Sequence, residues 1–293
     1  MSAKENRFLA KENKLQDSYH DLTIDETIMK WDEAIPLGNG LLGCLIWGDG
    51  FPLRFSLDRG DLWDTRMPPD LGIKEFNYKN LIKFVRNKDK GSIVQKYENI
   101  YSNPFPTKIA AGRLQLNYGE KCGAAQNTLV LREARVETRL FYGASCSVVN
   151  SFIHAGEQYG YIAVDGNAKL PEVEIIAHNY CNDGNTDCET GGRCGASDPD
   201  SLTRLAYPRP VYSSEGELSW FCQKTCEDME FGIVVCKKKV SGSGLEVAYT
   251  VASSKDGGDW LDNAKKKVSD AVSGGYEKAM KGHREWWRSF WDK

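Results

Sequence analysis

Pro36-Leu37-Gly38-Asn39-Gly40-Leu41-Leu42-Gly43-Cys44-Leu45-Ile46-Trp47-Gly48-Asp49-Gly50, followed shortly by Leu53-Arg54-Phe55-Ser56-Leu57, is the stretch that decides the fold. Gly38-Asn39-Gly40 is turn chemistry, because Gly and Asn tolerate positive φ. Leu41 to Trp47 is then an apolar strand, Gly48-Asp49-Gly50 a second turn, and Leu53 to Leu57 alternates as a half-buried strand does. The spacing predicts a β-hairpin.

Working outward, residues 74–102 break the strand pattern: Leu81, Ile82, Phe84 and Val85 sit at helical spacing, and a second short helix is expected over 91–101. From Arg113 the alternation returns in 114–118, 129–131 with 134–140, 146–152, 161–164, 173–177, 218–221, 231–235 and 245–251. Many short strands with few helices between them predict a mainly β fold, one large antiparallel β-sandwich. No Pro/Ser-rich linker divides it. Asp259 to Val272 reads as a helix, with Ala264, Val268 and Val272 on one face, stopped by Ser273-Gly274-Gly275. Tyr276, Met280, His283, Trp287, Phe290 and Trp291 then mark an apolar stripe that needs something to pack against. The expected organisation is a tail or first strand over 1–25, the sandwich over 26–255, and linker helices over 256–293.

Composition narrows the function classes. The 293 residues carry 38 Lys plus Arg against 41 Asp plus Glu, a net charge of −3, so no basic excess marks a nucleic-acid binder. A hydrophobic fraction of 41% is enough for a core and excludes a disordered chain. The most apolar stretch, Pro36 to Gly48, is too short to span a bilayer and is interrupted by four glycines. No membrane partner is expected. The first residues lack an apolar secretory core, so the expected compartment is the cytoplasm, or a secreted or periplasmic one if a signal peptide has been removed. Nine cysteines leave at least one thiol unpaired; Cys44, Cys146 and Cys236 lie in strand-like runs and read as small buried residues.

Four segments resemble a known family. Pro36 to Gly48 resembles the P-[LI]-G-N-G-R-L-G-A-M-V-F-G segment of the inverting α-L-fucosidase glycoside hydrolases. Leu57-Asp58-Arg59-Gly60-Asp61-Leu62-Trp63 is similar to their L-N-E-x-T-L-W, and Gly112-Arg113-Leu114-Gln115-Leu116 to their G-x-L-x-L strand. His283-Arg284-Glu285-Trp286-Trp287-Arg288-Ser289-Phe290-Trp291 resembles the H-x-x-x-W-x-x-F-W helix that leads into their catalytic barrel. The order and rough distances match, while the family's Arg is Leu41 here and its Asn is Asp58. The resemblance implies the N-terminal β-supersandwich domain of the clan that also holds the maltose phosphorylases. It further implies a six-hairpin α/α barrel, beyond Lys293 in the same polypeptide, that carries the catalytic residues. The implied substrate is an oligosaccharide or glycoside, the parent an inverting O-glycosidase, and the chain alone inactive.

Cleaving a glycoside by inversion needs two carboxyl groups roughly 6.5–9.5 Å apart across the bond. Spacing identifies no such pair here, so no catalytic residue is assigned, and no cofactor or metal. The best cluster is Asp58-Arg59-Gly60-Asp61-Leu62-Trp63-Asp64-Thr65-Arg66. One reading is a polar hairpin end whose charges pair with one another. The other is a loop that lends sugar contacts, with Asp61, Trp63 and Asp64 foremost and Arg59, Arg66 and Asn39 behind them. Asp183 to Glu189 places oxygens at alternate positions, but Cys188 and Cys194 stand where a calcium loop has Gly and Glu. Cys181, Cys188 and Cys194 beside His178 lack the close pair that zinc favours. The runs Lys237–Lys239 and Lys265–Lys267 read as solvated faces. His154, His178 and His283 read as structural. The rival reading is a free-standing carbohydrate-binding sandwich; a third is a purely structural or dimerising module.

Overall fold

The computed structural model describes residues 20–68, 71, 74, 76–181, 202–240 and 244–293. In chain order the strands are β1 (Leu22–Ile24), β2 (Ile35–Gly38), β3 (Leu42–Gly48), β4 (Leu53–Arg59), β5 (Trp63–Asp64), β6 (Thr107–Lys108), β7 (Gly112–Asn117) and β8 (Ala124–Val130). They continue as β9 (Arg135–Tyr142), β10 (Ser145–Ile153), β11 (Gly160–Gly166), β12 (Glu172–Ile176), β13 (Val211–Glu215), β14 (Leu218–Lys224), β15 (Glu230–Val240) and β16 (Gly244–Ser253). Helix α1 (Tyr78–Arg86) precedes a run of short helical turns from Lys90 to Ser102; α2 (Trp260–Gly274) and α3 (Tyr276–Trp291) close the chain.

The strands form a nine-stranded sheet in the order β1-β8-β9-β10-β11-β16-β15-β14-β13. A second, five-stranded sheet runs β12-β7-β4-β3-β2, and β5 pairs with β6 alone. The expected antiparallel sandwich is therefore present. Its hairpin registers Leu42 with Arg59 at one end and Gly48 with Leu53 at the other. Asn39 builds the turn before it: its Oδ1 accepts from Leu41 N at 3.1 Å and Leu42 N at 2.9 Å, and Gly40 takes φ +92°.

The two sheets meet through the alternate residues that pleating turns inward. Leu37, Cys44, Ile46, Phe55, Leu57, Leu114 and Leu116 of the smaller sheet pack on Val149, Ile162, Phe221, Ile233, Val235, Val247 and Val251 of the larger. The larger sheet is also covered on its outer side. Phe152, Tyr161, Trp220, Val234, Ala248 and Ala252 lie under Trp260, Ala264, Val268 and Val272 of α2 and Ala279 and Met280 of α3. Gly232 is required by the neighbouring strand: a Cβ there would stand 2.1 Å from Phe221 O, whereas the Trp260 ring of α2, at 3.6 Å, would be in ordinary contact. Gly275, at φ +81°, ends α2 by donating to the Ala271 and Val272 carbonyls, and α3 starts at once.

Several expectations need adjustment. The segments 129–131 and 134–140 are separated by a short turn at Leu131–Glu133, but β8 begins earlier, at Ala124, and β9 runs on to Tyr142. Strand β13 has no apolar alternation to betray it, because all five of its residues are exposed. Residues 22–24 form a strand on β8. Cys44 and Cys236 are buried as expected, but Cys146 is only half-buried, beside the β9–β10 turn. The calcium-like segment 183–189, with Cys188 and Cys194, lies outside the described residues.

Candidate functional site

The cluster from Asp58 to Arg66 occupies the far end of the β3–β4 hairpin and the short β5. Arg59 ends β4 and is 3% exposed. Its Nε and Nη2 donate to Asp61 at 2.7 and 3.0 Å. Its Nη1 and Nη2 donate to Asp256 at 2.5 and 2.7 Å. Burial works against the Arg59 charge, but the bonds to Asp256 and Asp61 outweigh it and raise its pKa. Asp256 in turn closes a capping box with Ser253 at the end of β16.

Asp64 is fully buried. Arg66 grips it through Nε and Nη2, the latter at 2.7 Å, and Tyr207 donates its hydroxyl to Oδ2 at 2.6 Å. Burial pushes the Asp64 carboxyl up, but these hydrogen bonds hold it down at about 2. The Arg66 guanidinium also lies over the Phe105 ring, 4.2 Å from its centroid. Lys108 braces the same end, donating to Asp58 at 2.5 Å and to Arg59 O at 2.8 Å.

Trp63 differs from its neighbours. It is 47% exposed, and its indole N–H donates to Gly60 O at 3.0 Å, which fixes the ring. Asp61 keeps part of its carboxylate in solvent. Asn39 stands apart from the cluster: its Nδ2 donates to His154 O and Glu157 O at 3.0 and 3.1 Å, so its side chain ties the two sheets together. The structure thus brings Arg59, Asp61, Trp63, Asp64 and Arg66 to one end of the smaller sheet. It engages Arg59, Asp64 and Asn39 in internal bonds, leaving Trp63 and the open side of Asp61 as the groups that face outward.

Two clefts adjoin this region without including Asp61, Trp63, Asp64 or Arg66. One, about 300 Å³, is bordered by Asp256, Thr250 and Trp260. The other, about 590 Å³, lies between the 154–159 loop and α2 and α3, beside His154, Tyr159, Lys266 and Lys278. Among the described residues no group of three His, Cys, Asp or Glu side chains is placed to hold a metal ion. No helix among them is long and apolar enough to cross a membrane.

The last helix carries a second feature. His283 is fully buried; its Nδ1 accepts from Ala155 N at 3.2 Å and its Nε2 lies 2.6 Å from Glu133 O, so Nε2 carries the proton. Arg284 pairs with Glu133 at 2.8 Å beside it. One turn on, Trp286, Phe290 and Trp291 are 44, 47 and 45% exposed. Trp286 and Phe290 stack with centroids 5.8 Å apart and rings 8° from parallel. Trp287 meets both rings edge-on, its indole nitrogen buried with no acceptor among the described residues.

Sequence reasoning missed Asp256, Tyr207 and Glu133. Each is remote in the chain from the group it holds, and no local spacing announces it. The aromatic stripe of α3 was the one signal near Glu133.

The architecture defines a class: a large antiparallel β-sandwich backed by C-terminal helices. No protein-family model matches the chain, and no curated protein matches it. A solved structure described as "Putative kojibiose phosphorylase from human microbiome" is similar to it, with a TM-score of 0.51 and 10% identity. The match covers 93% of this chain and 37% of that one. At that identity the likeness is one of fold. The chain spans little more than a third of the length of the structure it matches.

Proposed function

We propose that this chain is the β-sandwich portion of a carbohydrate-active enzyme that cleaves glycosides, acting as scaffold for a catalytic α/α barrel. The observation that carries the reading is the aromatic end of α3. Trp286, Phe290 and Trp291 keep nearly half of their surface in water although the rest of the helix is docked. Three large rings held in one stacked group, around a buried indole nitrogen without an acceptor, form a face ready for further polypeptide. The fold shared with part of a longer chain described as a glycoside phosphorylase supports the same reading. In it, Trp63 and Asp61 lend a stacking face and a hydrogen-bond acceptor to the sugar pocket, while Arg59, Asp64 and Arg66 hold that loop in place.

The experiment is kinetic. Residues 1–293 are incubated with a panel of α-linked disaccharides and aryl glycosides, with and without inorganic phosphate. No hydrolysis or phosphorolysis above the uncatalysed rate is expected. Robust turnover would refute the division of labour. Saturable oligosaccharide binding by the chain alone, lost on replacing Trp63, would instead favour a self-sufficient binding module.

A further inference from the structure

Helix α1 and the helical turns that follow it form a hairpin that, among the described residues, contributes none to either hydrophobic core. It has a small centre of its own, where Phe76 and Phe84 pack on Tyr97 at 5.1 and 6.4 Å. At 3.6 residues per turn, Tyr78, Leu81, Ile82 and Val85 make one stripe of α1, and Lys79, Lys83 and Arg86 the adjoining one. Tyr78 is 76% and Val85 53% exposed. Residues 77–99 hold six bases against two acids. Among the described residues, Lys79, Lys83 and Arg86 form no salt bridge. An apolar stripe edged by unpaired cations loses its exposure cost when it meets an acidic surface with apolar groups of its own.

The chain carries such a surface. Residues 21–33 hold five acids against one base. Asp25, Glu26, Asp32 and Glu33 are exposed there together with Leu22, Met29 and Trp31, the last at 58%. Gly48 N donates to Ile28 O at 2.7 Å, which fixes this segment at the Gly48–Leu53 end of the smaller sheet. The basic hairpin leads directly into β6, which pairs with Trp63 and is tied by Lys108 to Asp58 and Arg59 at the opposite end. A seven-residue strand separates the two ends by about 20 Å, beyond the reach of a lysine side chain. Among the described residues no ion pair joins the two patches within one copy.

We propose that the basic hairpin docks on the acidic, tryptophan-bearing segment Asp21–Glu33 of a second copy of this chain. Opposite charge brings the surfaces together, and Tyr78 and Val85 against Met29 and Trp31 supply the apolar contact. The interaction is independent of any sugar chemistry.

The test is sedimentation velocity of the 293-residue chain at about 50 mM and about 500 mM NaCl, a change that shortens the screening length from about 14 Å to about 4 Å. Concentration-dependent self-association that weakens at least tenfold at the higher salt is expected. The triple variant Lys79→Glu, Lys83→Glu, Arg86→Glu is expected to be monomeric, as is Glu26→Lys, Asp32→Lys, Glu33→Lys. Mixing the two is expected to restore a complex, because each now carries the other's missing sign. All six side chains are exposed or solvated, and the salt titration of the unaltered chain needs no variant. A monomer at every concentration and salt overturns the proposal. So does association that the charge reversals leave intact. Binding of the hairpin to phosphatidylserine vesicles by a chain that stays monomeric without them would also overturn it, assigning the surface to lipid.

Discussion

Arg59 donates from both terminal nitrogens to the two carboxylate oxygens of Asp256, at 2.5 and 2.7 Å, across 197 positions of sequence. The bond joins the end of β4 in one sheet to the turn after β16 in the other. Removing the guanidinium leaves Asp256 and Asp61 facing one another around a buried gap. Arg59→Met is expected to lower unfolding free energy by about 3 kcal/mol, read from the urea midpoint. Arg59→Lys is expected to recover less than half, because an ammonium cannot fork onto two carboxylates. A loss below about 1 kcal/mol for Arg59→Met would show that the sheets do not depend on this tie.

Acid sensitivity should trace first to His283. Burial lowers its pKa from 6.5 to about 4, against the pull of the Glu133 carbonyl. Its Nδ1 already receives a proton from Ala155 N–H, so protonation sets two donors against each other. A group depressed in the fold stabilises fully above its unfolded pKa and loses that contribution as pH falls through 6.5 toward 4. Glu133, Arg284 and His154 lie beside it. His178, likewise lowered to about 4, contributes in the same window. His154, also lowered by burial, adds to the same window, so His283→Gln is expected to flatten part of the stability slope between about pH 7 and about pH 4.5, by up to about 3 kcal/mol. An unchanged slope would exclude the mechanism. Below that range the Asp64 carboxyl, held at about 2, takes over, its contribution disappearing as pH drops from the ordinary carboxylate value.

Two glycines separate crowding from chain entropy. Gly232→Ala forces a methyl group against the Phe221 carbonyl, a backbone atom that cannot turn aside. A loss of about 3 kcal/mol is expected. Gly258 has open space around its Cβ position and no positive φ. Gly258→Ala is expected to be neutral or to stabilise by about 0.5 kcal/mol. Similar thermal midpoints for the two variants would contradict the packing account.

Trp63 tests the sugar contact proposed for this loop. Its ring is exposed and fixed by the bond to Gly60 O, so Trp63→Ala is expected to change unfolding free energy by less than about 1 kcal/mol. Any oligosaccharide affinity of the chain, followed by tryptophan fluorescence, is expected to fall at least tenfold. Undiminished affinity in Trp63→Ala would overturn the proposed contact.

Strands with one wet face were easy to read, because Leu53, Phe55 and Leu57 point inward and Arg54, Ser56 and Asp58 do not. The strand from Gly244 was read as alternating over 245–251, although nine of its ten residues are buried and both of its faces are covered. β13 was invisible: an exposed edge strand needs neither apolar alternation nor a buried residue. The cluster at Asp58–Arg66 was found from charge and aromatic composition. That its charges pair with one another was one of the two readings, and Arg59 with Asp61 and Arg66 with Asp64 do so; the outside partners Asp256 and Tyr207 were not legible, since they arrive from distant strands and loops. The bond of Asn39 to two backbone carbonyls left no trace either, because every residue offers that acceptor.

The loop at 154–157 is held from two directions: Asn39 draws on the His154 and Glu157 carbonyls, and His283 takes the Ala155 amide. Traction on the tryptophan tip of α3 is therefore not borne by that helix alone. It passes through one short loop to the turn of the opposite sheet, so a pull on the helix loads both sheets together.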